Sequence, residues 1–321
     1  MNPTFEIGNA KLFLGDAMDF YESWPKPVCI VSDGAYGIDG FEGDTKSHFE
    51  LKEWYRPHVE KWSRFSRSDT TLWLWNTEIG WANVHPLLEE NGWKYVRCCI
   101  WDKGMAHLAG NVNTETIRQF PCVSEVCVQY VRNATADGIE FRNLLRGEWK
   151  RTGLPFYKAN DACGVKNAAS RKYLSNDGEF YLPSTEMLFR MRNYANLYGN
   201  PANSPYFDFV SEKEDSKPKF RLPFGFTNVW HCLPVSGKNR IKNRIGKNFH
   251  PNQKPISLMK MIVDSCTDEG DVVWEPFGGL FTASLAASRN NRIAYGSEIS
   301  EEFFDAGKSR FLPKEQLELF S

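Results

Sequence analysis

An acidic turn near the start of the chain carries residue types that could do chemistry. The stretch Ser32–Gly37 (SDGAYG) follows the apolar run Val28–Val31, which predicts a buried strand ending in a sharp turn at Asp33. A carboxylate in such a turn would lie at the carboxyl edge of a sheet, where open α/β sheets bind their ligands. A strand that ends in Asp-Gly is also a common ordinary turn, so this stretch alone supports either interpretation.

A second acidic turn lies much later in the chain and indicates a cofactor site. A predicted strand ends in Glu275, the turn Pro276–Gly279 opens a helix, and the next strand ends in Glu298. Glu298 lies twenty positions after the first glycine of the turn, where an acid can bind both hydroxyls of a ribose. The GxGxxG pattern of dinucleotide sites is absent. The unit therefore indicates S-adenosylmethionine, although an ordinary turn with two surface acids would have the same pattern.

The surrounding pattern predicts a sheet that could position these turns. Strand-like and helix-like segments alternate over residues 1–101 and again over 226–311. This alternation is typical of an α/β fold with a doubly wound, mostly parallel sheet. The first elements are a strand over 5–14 and a short helix over about 17–23.

The alternation is lost in the middle of the chain, which predicts an insertion. Gly, Pro, Asn and charged residues are scattered there, with aromatic clusters between them. We interpret this part as a subdomain of short, irregular elements. The predicted organisation is a catalytic half at 1–134, an insertion at 135–225 and a cofactor half at 226–321.

The composition limits the class of protein. A formal net charge of −1 over 321 residues argues against a uniformly basic nucleic-acid binder but allows a local basic face. The eight cysteines form no CxxC pair and the six histidines no ligand cluster, so we expect reduced thiols, a cytosolic compartment and no metal. Neither a basic-apolar leader nor an apolar run of about 20 residues is present, so we expect no signal peptide and no membrane span.

Several motifs, in their order along the chain, are similar to those of the beta group of DNA amino-methyltransferases. Asp33–Tyr36 (DGAY) resembles the catalytic Asp-Pro-Pro-Tyr, and His250–Pro255 (HPNQKP) resembles His-Pro-Thr-Gln-Lys-Pro. Glu275–Gly279 (EPFGG) resembles the cofactor turn Asp-Pro-Phe-x-Gly. Smaller similarities are Gly15-Asp16 and Ser124–Val126. The resemblance covers most of the chain outside the insertion.

The resemblance implies a Rossmann-like methyltransferase with a circularly permuted motif order, in which the catalytic half precedes the cofactor half. It also implies S-adenosylmethionine as cofactor and the insertion as target-recognition domain. The implied cofactor residues are Asp16 near the adenine, Gln253 and Lys254 near the methionine end, Glu275 in the cofactor turn, and Phe277, Gly278, Gly279 and Glu298 around the adenosine.

The resemblance also assigns roles in the catalytic turn. The exocyclic amine of a base is a poor nucleophile because its lone pair is delocalised into the ring. Asp33 would accept one N–H of this amine and the carbonyl of Gly34 the other, which localises the lone pair toward the methyl group. The base must leave the duplex to reach the turn, and Tyr36 would stack on it. No step of this reaction requires a metal.

Three departures from the family pattern bear on these roles. Gly34 and Ala35 replace both prolines of the catalytic motif, so packing must hold the turn. Glu275 replaces an aspartate and is one methylene longer. Leu280 and Phe281 stand where the family usually has small residues, which leaves the shape of the cofactor loop open.

The predicted reaction is methylation of adenine at N6 in double-stranded DNA, by a bacterial or phage-encoded protein. The same architecture supports methylation of cytosine at N4, and RNA stays open as a substrate. A further alternative is a non-catalytic DNA-binding relative in a restriction assembly, although Asp33 is present. A nicotinamide-dependent oxidoreductase is disfavoured by the missing GxGxxG pattern. The sequence leaves open a cognate restriction endonuclease and a second copy of the chain, in a homodimer, as partners.

A basic segment indicates where DNA could bind. Residues 216–263 contain ten Lys or Arg and no Asp or Glu. Such a run can neutralise phosphates, although it is also typical of a solvated loop. The centre of the segment holds Lys238, Arg240, Lys242, Arg244 and Lys247.

Neutralising two of these charges tests the phosphate contact. Replacement of Lys242 and Arg244 by Gln should weaken binding to all DNA sequences by a similar factor, and the affinity should depend less on salt because fewer counterions are released. Binding isotherms for two unrelated duplexes over a series of salt concentrations measure both effects. A double variant that changes only the preferred sequence and keeps the original salt slope would contradict the assignment.

Overall fold

The computed structural model describes residues 2–40, 43–67, 69–105, 113, 115–132, 139–176, 181–207, 219–222, 225–237, 240–241 and 253–312. Contacts between residues divide the chain into two units. The first unit combines Met1–Asn133 with Lys219–Ser321, and the second is Ala134–Pro218.

A single mixed sheet forms the centre of the first unit. The strands are β1 (Phe5–Ile7), β2 (Ala10–Leu14), β3 (Cys29–Ser32), β4 (Thr71–Asn76), β5 (Lys94–Asp102), β6 (Ser124–Val131), β7 (Val229–His231), β8 (Val272–Glu275) and β9 (Ile293–Glu298). Their order in the sheet is β1-β2-β9-β8-β3-β4-β6-β5-β7. The run from β2 to β4 is parallel throughout, while β1 and β6 are antiparallel to their neighbours. This confirms the prediction of a mostly parallel α/β sheet.

Helices cover both faces of this sheet. Tyr55 of α1 (Leu51–Phe65) packs in one buried cluster with Ile30 of β3, whereas Ile262 of α6 (Ile256–Cys266) packs in a second cluster with Cys29 and Val31. Successive residues of β3 therefore face opposite layers, as a doubly wound sheet requires.

The other helices of the first unit are α2 (Glu78–Glu90), α7 (Thr282–Arg289) and α8 (Glu301–Ser309), and those of the second unit are α3 (Ile139–Arg151), α4 (Lys158–Cys163) and α5 (Thr185–Tyr198). In the described part of the chain, no helix is long and apolar enough to cross a membrane.

The strand order brings the two acidic turns together. β3 pairs in parallel with β8, with Cys29 opposite Val273 and Ile30 opposite Trp274. β8 pairs in parallel with β9. The carboxyl ends of these three strands therefore lie side by side at one edge of the sheet. Segments that are far apart in sequence meet there, since β3 belongs to the catalytic half and β8 to the cofactor half.

Two predictions near the N-terminus are wrong in detail. Residues 5–14 form the hairpin β1–β2 rather than one strand, because Gly8 turns the chain with a φ of +53°. The helix predicted over 17–23 is only a 3₁₀ turn, Ala17–Asp19. Asp16 caps this turn, since its Oδ1 accepts a hydrogen bond from the Met18 N–H at 2.9 Å.

The second unit is more regular than predicted. We expected short, irregular elements, but α3 spans 13 residues and α5 spans 14. Phe141, Leu145 and Trp149 recur every four residues along α3 and are buried in a core that belongs to this unit. The many polar residues between these positions hid the helical period in the sequence.

Candidate active site

One cleft lies at the edge where β3, β8 and β9 end. Its volume is about 690 Å³, and residues from both halves of the first unit line it. Carboxylates, glycines and aromatic rings share this lining, which is the composition expected of a cofactor and substrate pocket. Among the lining residues are all the catalytic and cofactor residues predicted from the sequence, namely Asp16, Asp33, Gly34, Tyr36, Gln253, Lys254, Glu275, Phe277, Gly278, Gly279 and Glu298.

Glu298 organises the cofactor side of this cleft. Its Oε2 accepts a hydrogen bond from the Gly279 N–H at 2.6 Å, and its Oε1 accepts one from the Ser300 N–H at 2.9 Å. Burial raises the pKa of Glu298, while these backbone donors oppose the rise. Each carboxylate oxygen has a further lone pair, so the side chain can still accept a hydrogen bond from a ligand hydroxyl.

The ring of Phe281 lies beneath the cofactor turn, not in the cleft. Phe281 is fully buried with Leu12 and Phe304, and its φ is +52°. Gly278 lies so close to this ring that a Cβ there would overlap it. The sequence left the shape of the cofactor loop open because Leu280 and Phe281 replace small residues of the family. The large Phe281 ring fits because Gly278 has no side chain, whereas Leu280 lines the cleft.

Glu275 binds the first turn of α7. Its Oε1 accepts from the Ala283 N–H at 2.8 Å, and its Oε2 accepts from the Ser284 N–H at 2.7 Å. Such a carboxylate satisfies two backbone donors that a helix start leaves free. Burial raises the pKa of Glu275 to about 7, although Ser284 and Ala283 act in the opposite direction.

A buried lysine connects the catalytic turn to the other half. Lys254 Nζ donates to Asp33 Oδ1 at 2.8 Å and to the Tyr36 hydroxyl at 3.0 Å, and it lies 3.2 Å from Glu125 Oε2. Burial lowers the pKa of Lys254, but the Asp33 and Glu125 carboxylates raise it more, so the pKa is above its ordinary value. Lys103 forms a second ion pair with Glu125 at 2.5 Å. The positive charges of the two lysines therefore balance the negative charges of Asp33 and Glu125.

The Tyr36 hydroxyl points into the same cluster. It donates to Asp33 Oδ1 at 2.7 Å, and the side chain is buried. Burial, followed by the charges of Asp33 and Glu125, raises the pKa of Tyr36, so the phenol stays neutral. Both hydrogen bonds to Asp33 from this cluster meet Oδ1. The described residues donate none to Oδ2, so this oxygen can serve a substrate.

Packing replaces the missing prolines of the catalytic turn. A Cβ on Gly34 would come within 2.8 Å of the Phe277 ring and 2.9 Å of the Tyr55 hydroxyl, so this position requires glycine. The carbonyl of Ala35 accepts from Tyr55 Oη at 3.1 Å and from Asn76 Nδ2 at 2.9 Å. The carbonyl of Gly34 receives no hydrogen bond from the described residues, which makes it the acceptor that remains for a ligand.

Sequence reasoning missed the aromatic wall beside Phe277. The rings of Trp54 and His58 lie 5.1 Å and 4.8 Å from that of Phe277, and all three side chains line the cleft. Burial lowers the pKa of His58 to about 4, so the imidazole is neutral at pH 7. The signal was available, because the two residues lie four apart on α1 and therefore share one helix face.

The predicted DNA-binding residues are mostly outside the described residues. Lys238, Lys242, Arg244 and Lys247 lie there, and of the five only Arg240 is described. The next residue, Ile241, donates its N–H to Gln253 Oε1 at 3.2 Å, which ties this segment to a cleft residue. Within the described ranges, no group of three or more His, Cys, Asp or Glu side chains could hold a metal ion.

Known proteins similar to this chain are DNA methyltransferases. Residues 3–309 match a family model described as DNA methylase, which covers N6 and N4 methyltransferases. The chain is 30% identical over 315 residues to the Type II methyltransferase M.ScaI of Streptomyces caespitosus, which covers 96% of this chain and 83% of that protein. It is 35% identical over 83 residues to the Type II methyltransferase M.HinfI of Haemophilus influenzae, or 26% and 23% of the two chains.

Two solved structures show the same fold. The PvuII DNA methyltransferase, which is cytosine-N4-specific, has a TM-score of 0.58 at 13% identity, covering 98% of this chain and 90% of that one. The M1.HpyAVI–SAM complex has a TM-score of 0.50 at 17% identity, covering 94% and 99%. These likenesses confirm the predicted Rossmann-like methyltransferase fold.

The chain belongs to the family of N6 and N4 DNA methyltransferases. The resemblance to the beta group of amino-methyltransferases is therefore confirmed, and with it S-adenosylmethionine as the cofactor of the class. The residues that line the cleft fit S-adenosylmethionine chemically. It offers Glu298 for hydroxyls, glycines for close approach of the backbone, and the ring of Phe277 as an apolar surface.

The raised pKa of Glu275 predicts a pH dependence of stability. Between an ordinary value of 4.5 and about 7, the folded protein retains a proton that the unfolded chain has released, so the free energy of unfolding falls as the pH rises through this range. Glu275→Gln cannot titrate. The melting temperature of the original protein, minus that of the variant, should fall between pH 5 and pH 7.5.

The exposed Glu60 of α1 provides the control for this measurement. Glu60→Gln removes one carboxylate without a buried environment, so its difference from the original protein should stay flat over the same pH range. A flat difference for Glu275→Gln as well would show that Glu275 is ionised in the folded protein throughout.

Proposed function

We propose that the protein transfers a methyl group from S-adenosylmethionine to N6 of an adenine flipped out of double-stranded DNA. The observation that carries this proposal is the pair of acceptors at the end of β3. Asp33 and Gly34 line the same cleft as Glu298 and the glycine turn, and neither Asp33 Oδ2 nor the Gly34 carbonyl receives a hydrogen bond from the described residues. An amine with two N–H groups can therefore be bound beside the cofactor site.

The acceptors would activate the amine by geometry. When its two N–H groups donate to Asp33 and to the Gly34 carbonyl, the nitrogen lone pair is turned away from the base ring and becomes available. The cofactor supplies an electrophilic methyl group on a sulfonium. Holding the nitrogen in line at roughly 3–3.5 Å from that carbon supplies much of the rate, because the entropy of approach is already lost on binding. Asp33 can accept the proton that the amine releases.

The cluster around Lys254 supports a positioning role for this residue. A lysine ammonium has three N–H groups, and Asp33, Tyr36 and Glu125 provide a partner for each. We therefore assign Lys254 to Asp33 rather than to the methionine end of the cofactor. Gln253 lines the cleft and stays the proposed contact on that side.

The remaining cofactor contacts follow from the lining of the cleft. Glu298 would accept from the ribose hydroxyls, and Phe277 would pack against the adenine. The closely spaced backbone of the glycine turn would admit the adenosine. Asp16 lies at the end of β2, beside β9, and would face the adenine from the other side. Glu275 would act indirectly, since it holds the start of α7.

DNA contacts are proposed for two regions. The basic segment around Arg240 would neutralise phosphates, and the second unit would recognise the target sequence. The second unit, Ala134–Pro218, is close to neutral, with twelve Lys or Arg and eleven Asp or Glu. The basic segment would therefore supply most of the attraction for a polyanion. A cognate restriction endonuclease, a homodimer and a cytoplasmic location stay predictions.

Identification of the methylated base tests the proposal directly. The protein is incubated with S-adenosylmethionine labelled in the methyl group and with mixed-sequence duplex DNA, which is then digested to nucleosides. Label in N6-methyladenine is the expected result. Label in N4-methylcytosine would replace adenine by cytosine as the substrate, since the same two acceptors fit that amine. No label in any nucleoside would favour the non-catalytic alternative.

Removal of the catalytic carboxylate tests the mechanism. Asp33→Ala should lower the rate of methyl transfer by at least about 100-fold, because it removes an acceptor that stabilises the transition state. Binding of S-adenosylmethionine, measured by calorimetry, should persist, since Lys254 keeps Glu125 as a partner. Glu60→Ala, at an exposed position of α1, is the control and should leave both quantities unchanged. Normal turnover of Asp33→Ala would refute the mechanism.

A further inference from the structure

We propose that Asp44 is a positioning residue that, together with the packing around Gly34 and Ala35, fixes the catalytic turn, which lacks the prolines of the family. The role rests on the proposed function, because it assumes that the turn binds the amine. Asp44 lies on the loop that follows the turn and leads to α1, and it is not part of any motif recognised in the sequence. Its neighbour Gly43 lines the cleft.

The side chain of Asp44 accepts hydrogen bonds from several backbone N–H groups at the end of the turn. Its Oδ1 accepts from the N–H groups of Tyr36 and Gly37, both at 2.8 Å. Its Oδ2 accepts from Ile38 at 3.2 Å and from Gly40 at 3.1 Å. One carboxylate thus binds four amides within five consecutive residues. Hydrogen bonds from backbone N–H groups to a carboxylate are stronger than those between neutral groups.

The catalytic turn and the segment after it, which Asp44 binds, have little stiffness of their own. Gly34 and Ala35 in the turn lack the fixed φ of proline, and Gly37 in the bound segment has a φ of +74°. A Cβ on Gly37 would come within 2.5 Å of the His48 backbone, so the loop closes against its own end there. A chain with three glycines in this short stretch loses much conformational entropy when it is ordered, and the bonds to Asp44 offset that loss.

The hydrogen bonds connect Asp44 to the reacting group through one residue. Asp44 fixes the backbone N–H of Tyr36, and the hydroxyl of Tyr36 donates to Asp33 Oδ1 at 2.7 Å. If the backbone of Tyr36 shifts, the hydroxyl shifts with it, and Asp33 loses one of the two donors that orient its carboxylate. The carbonyl of Gly34 precedes the same segment. Asp44 therefore influences both acceptors of the amine without touching it.

Two substitutions of Asp44 separate the parts of this role. Asp44→Asn retains one oxygen for Tyr36 and Gly37 but presents an N–H group to Ile38 and Gly40, which are themselves donors. Asp44→Ala removes all four of these hydrogen bonds and also the one that the Thr45 N–H donates to Oδ1 at 2.9 Å. The matched control is Asp39→Asn, because Asp39 lies in the same loop, is exposed, and has a φ of +54° that asparagine tolerates.

Single-turnover methyl transfer should fall in a graded manner. We expect a loss of about tenfold in Asp44→Asn and about 100-fold in Asp44→Ala, since a displacement of about 1 Å at reacting groups has effects of this size. The dissociation constant for S-adenosylmethionine should change less than about threefold, because Asp44 is not among the residues that line the cleft. Asp39→Asn should keep the original rate.

Hydrogen exchange gives a readout that requires no substrate. The amides of Tyr36, Gly37, Ile38 and Gly40 should exchange faster in both Asp44 variants, while amides of the central strand β4 keep their protection. This result stands even if the original protein methylates nothing, in which case the proposed function fails and the ordering of the turn does not.

Two results would overturn the positioning role. One is a rate of methyl transfer in Asp44→Asn and Asp44→Ala that equals the rate of the original protein, whether or not amide hydrogen exchange is faster. The other is a loss of cofactor affinity that matches the loss of rate, because the substitutions would then disturb the whole cleft rather than the acceptors. Rates that fall equally in Asp39→Asn and Asp44→Asn would assign the effect to loop charge and would refute the role of hydrogen bonding.

Discussion

The buried ammonium of Lys254 is the interaction on which the site depends. It lies between Asp33 at the end of β3 and Glu125 at the start of β6, and it precedes α6. A charge removed from water is costly unless partners surround it, and removing one partner of such a pair typically costs about 3–5 kcal/mol. Three segments that are distant in sequence must therefore reach this point together, and the catalytic carboxylate is oriented as a consequence.

The same ion cluster divides the work between the oxygens of Asp33. Lys254 and Tyr36 donate to one oxygen, whereas the other receives no hydrogen bond from the described residues. A free carboxylate at the end of a strand could rotate and would present either oxygen. Here the internal hydrogen bonds fix the plane of the group before a ligand arrives, which is the kind of preorganisation that lowers the cost of reaching a transition state.

The sequence predicted the sheet and the two acidic turns because their signals are local. A strand, a glycine turn and a helix can be recognised within about thirty residues. The catalytic turn comes before the cofactor turn in the sequence, and this order indicated the circular permutation. The resemblance to a known family then gave each turn a role. The sequence alone could not show that β3 and β8 are neighbours, since strand pairing depends on contacts between residues far apart in the chain.

What the sequence could not predict are partners that approach from elsewhere. Glu125 was noted only as a small similarity before a strand, and nothing local indicates that it shares a lysine with Asp33. The carbonyl of Ala35 is occupied by Tyr55 of α1 and Asn76 of β4, which is known only once both elements are packed. The helices of the second unit were missed because buried residues are sparse among polar ones.

The ring of Phe281 has a consequence for how this chain can change over time. Cβ atoms on Gly278, Gly296 and Gly307 would each come within 3 Å of that ring, so three separate segments lack side chains to make room for it. Replacing any one of these glycines by alanine requires a smaller residue at position 281. A smaller residue there leaves a cavity that the glycines cannot fill. Substitutions at these four positions are therefore coupled. At Gly278 and Gly296 the Ser297 carbonyl, at 2.9 Å, and Ser284 Oγ, at 2.7 Å, restrict an added Cβ as well.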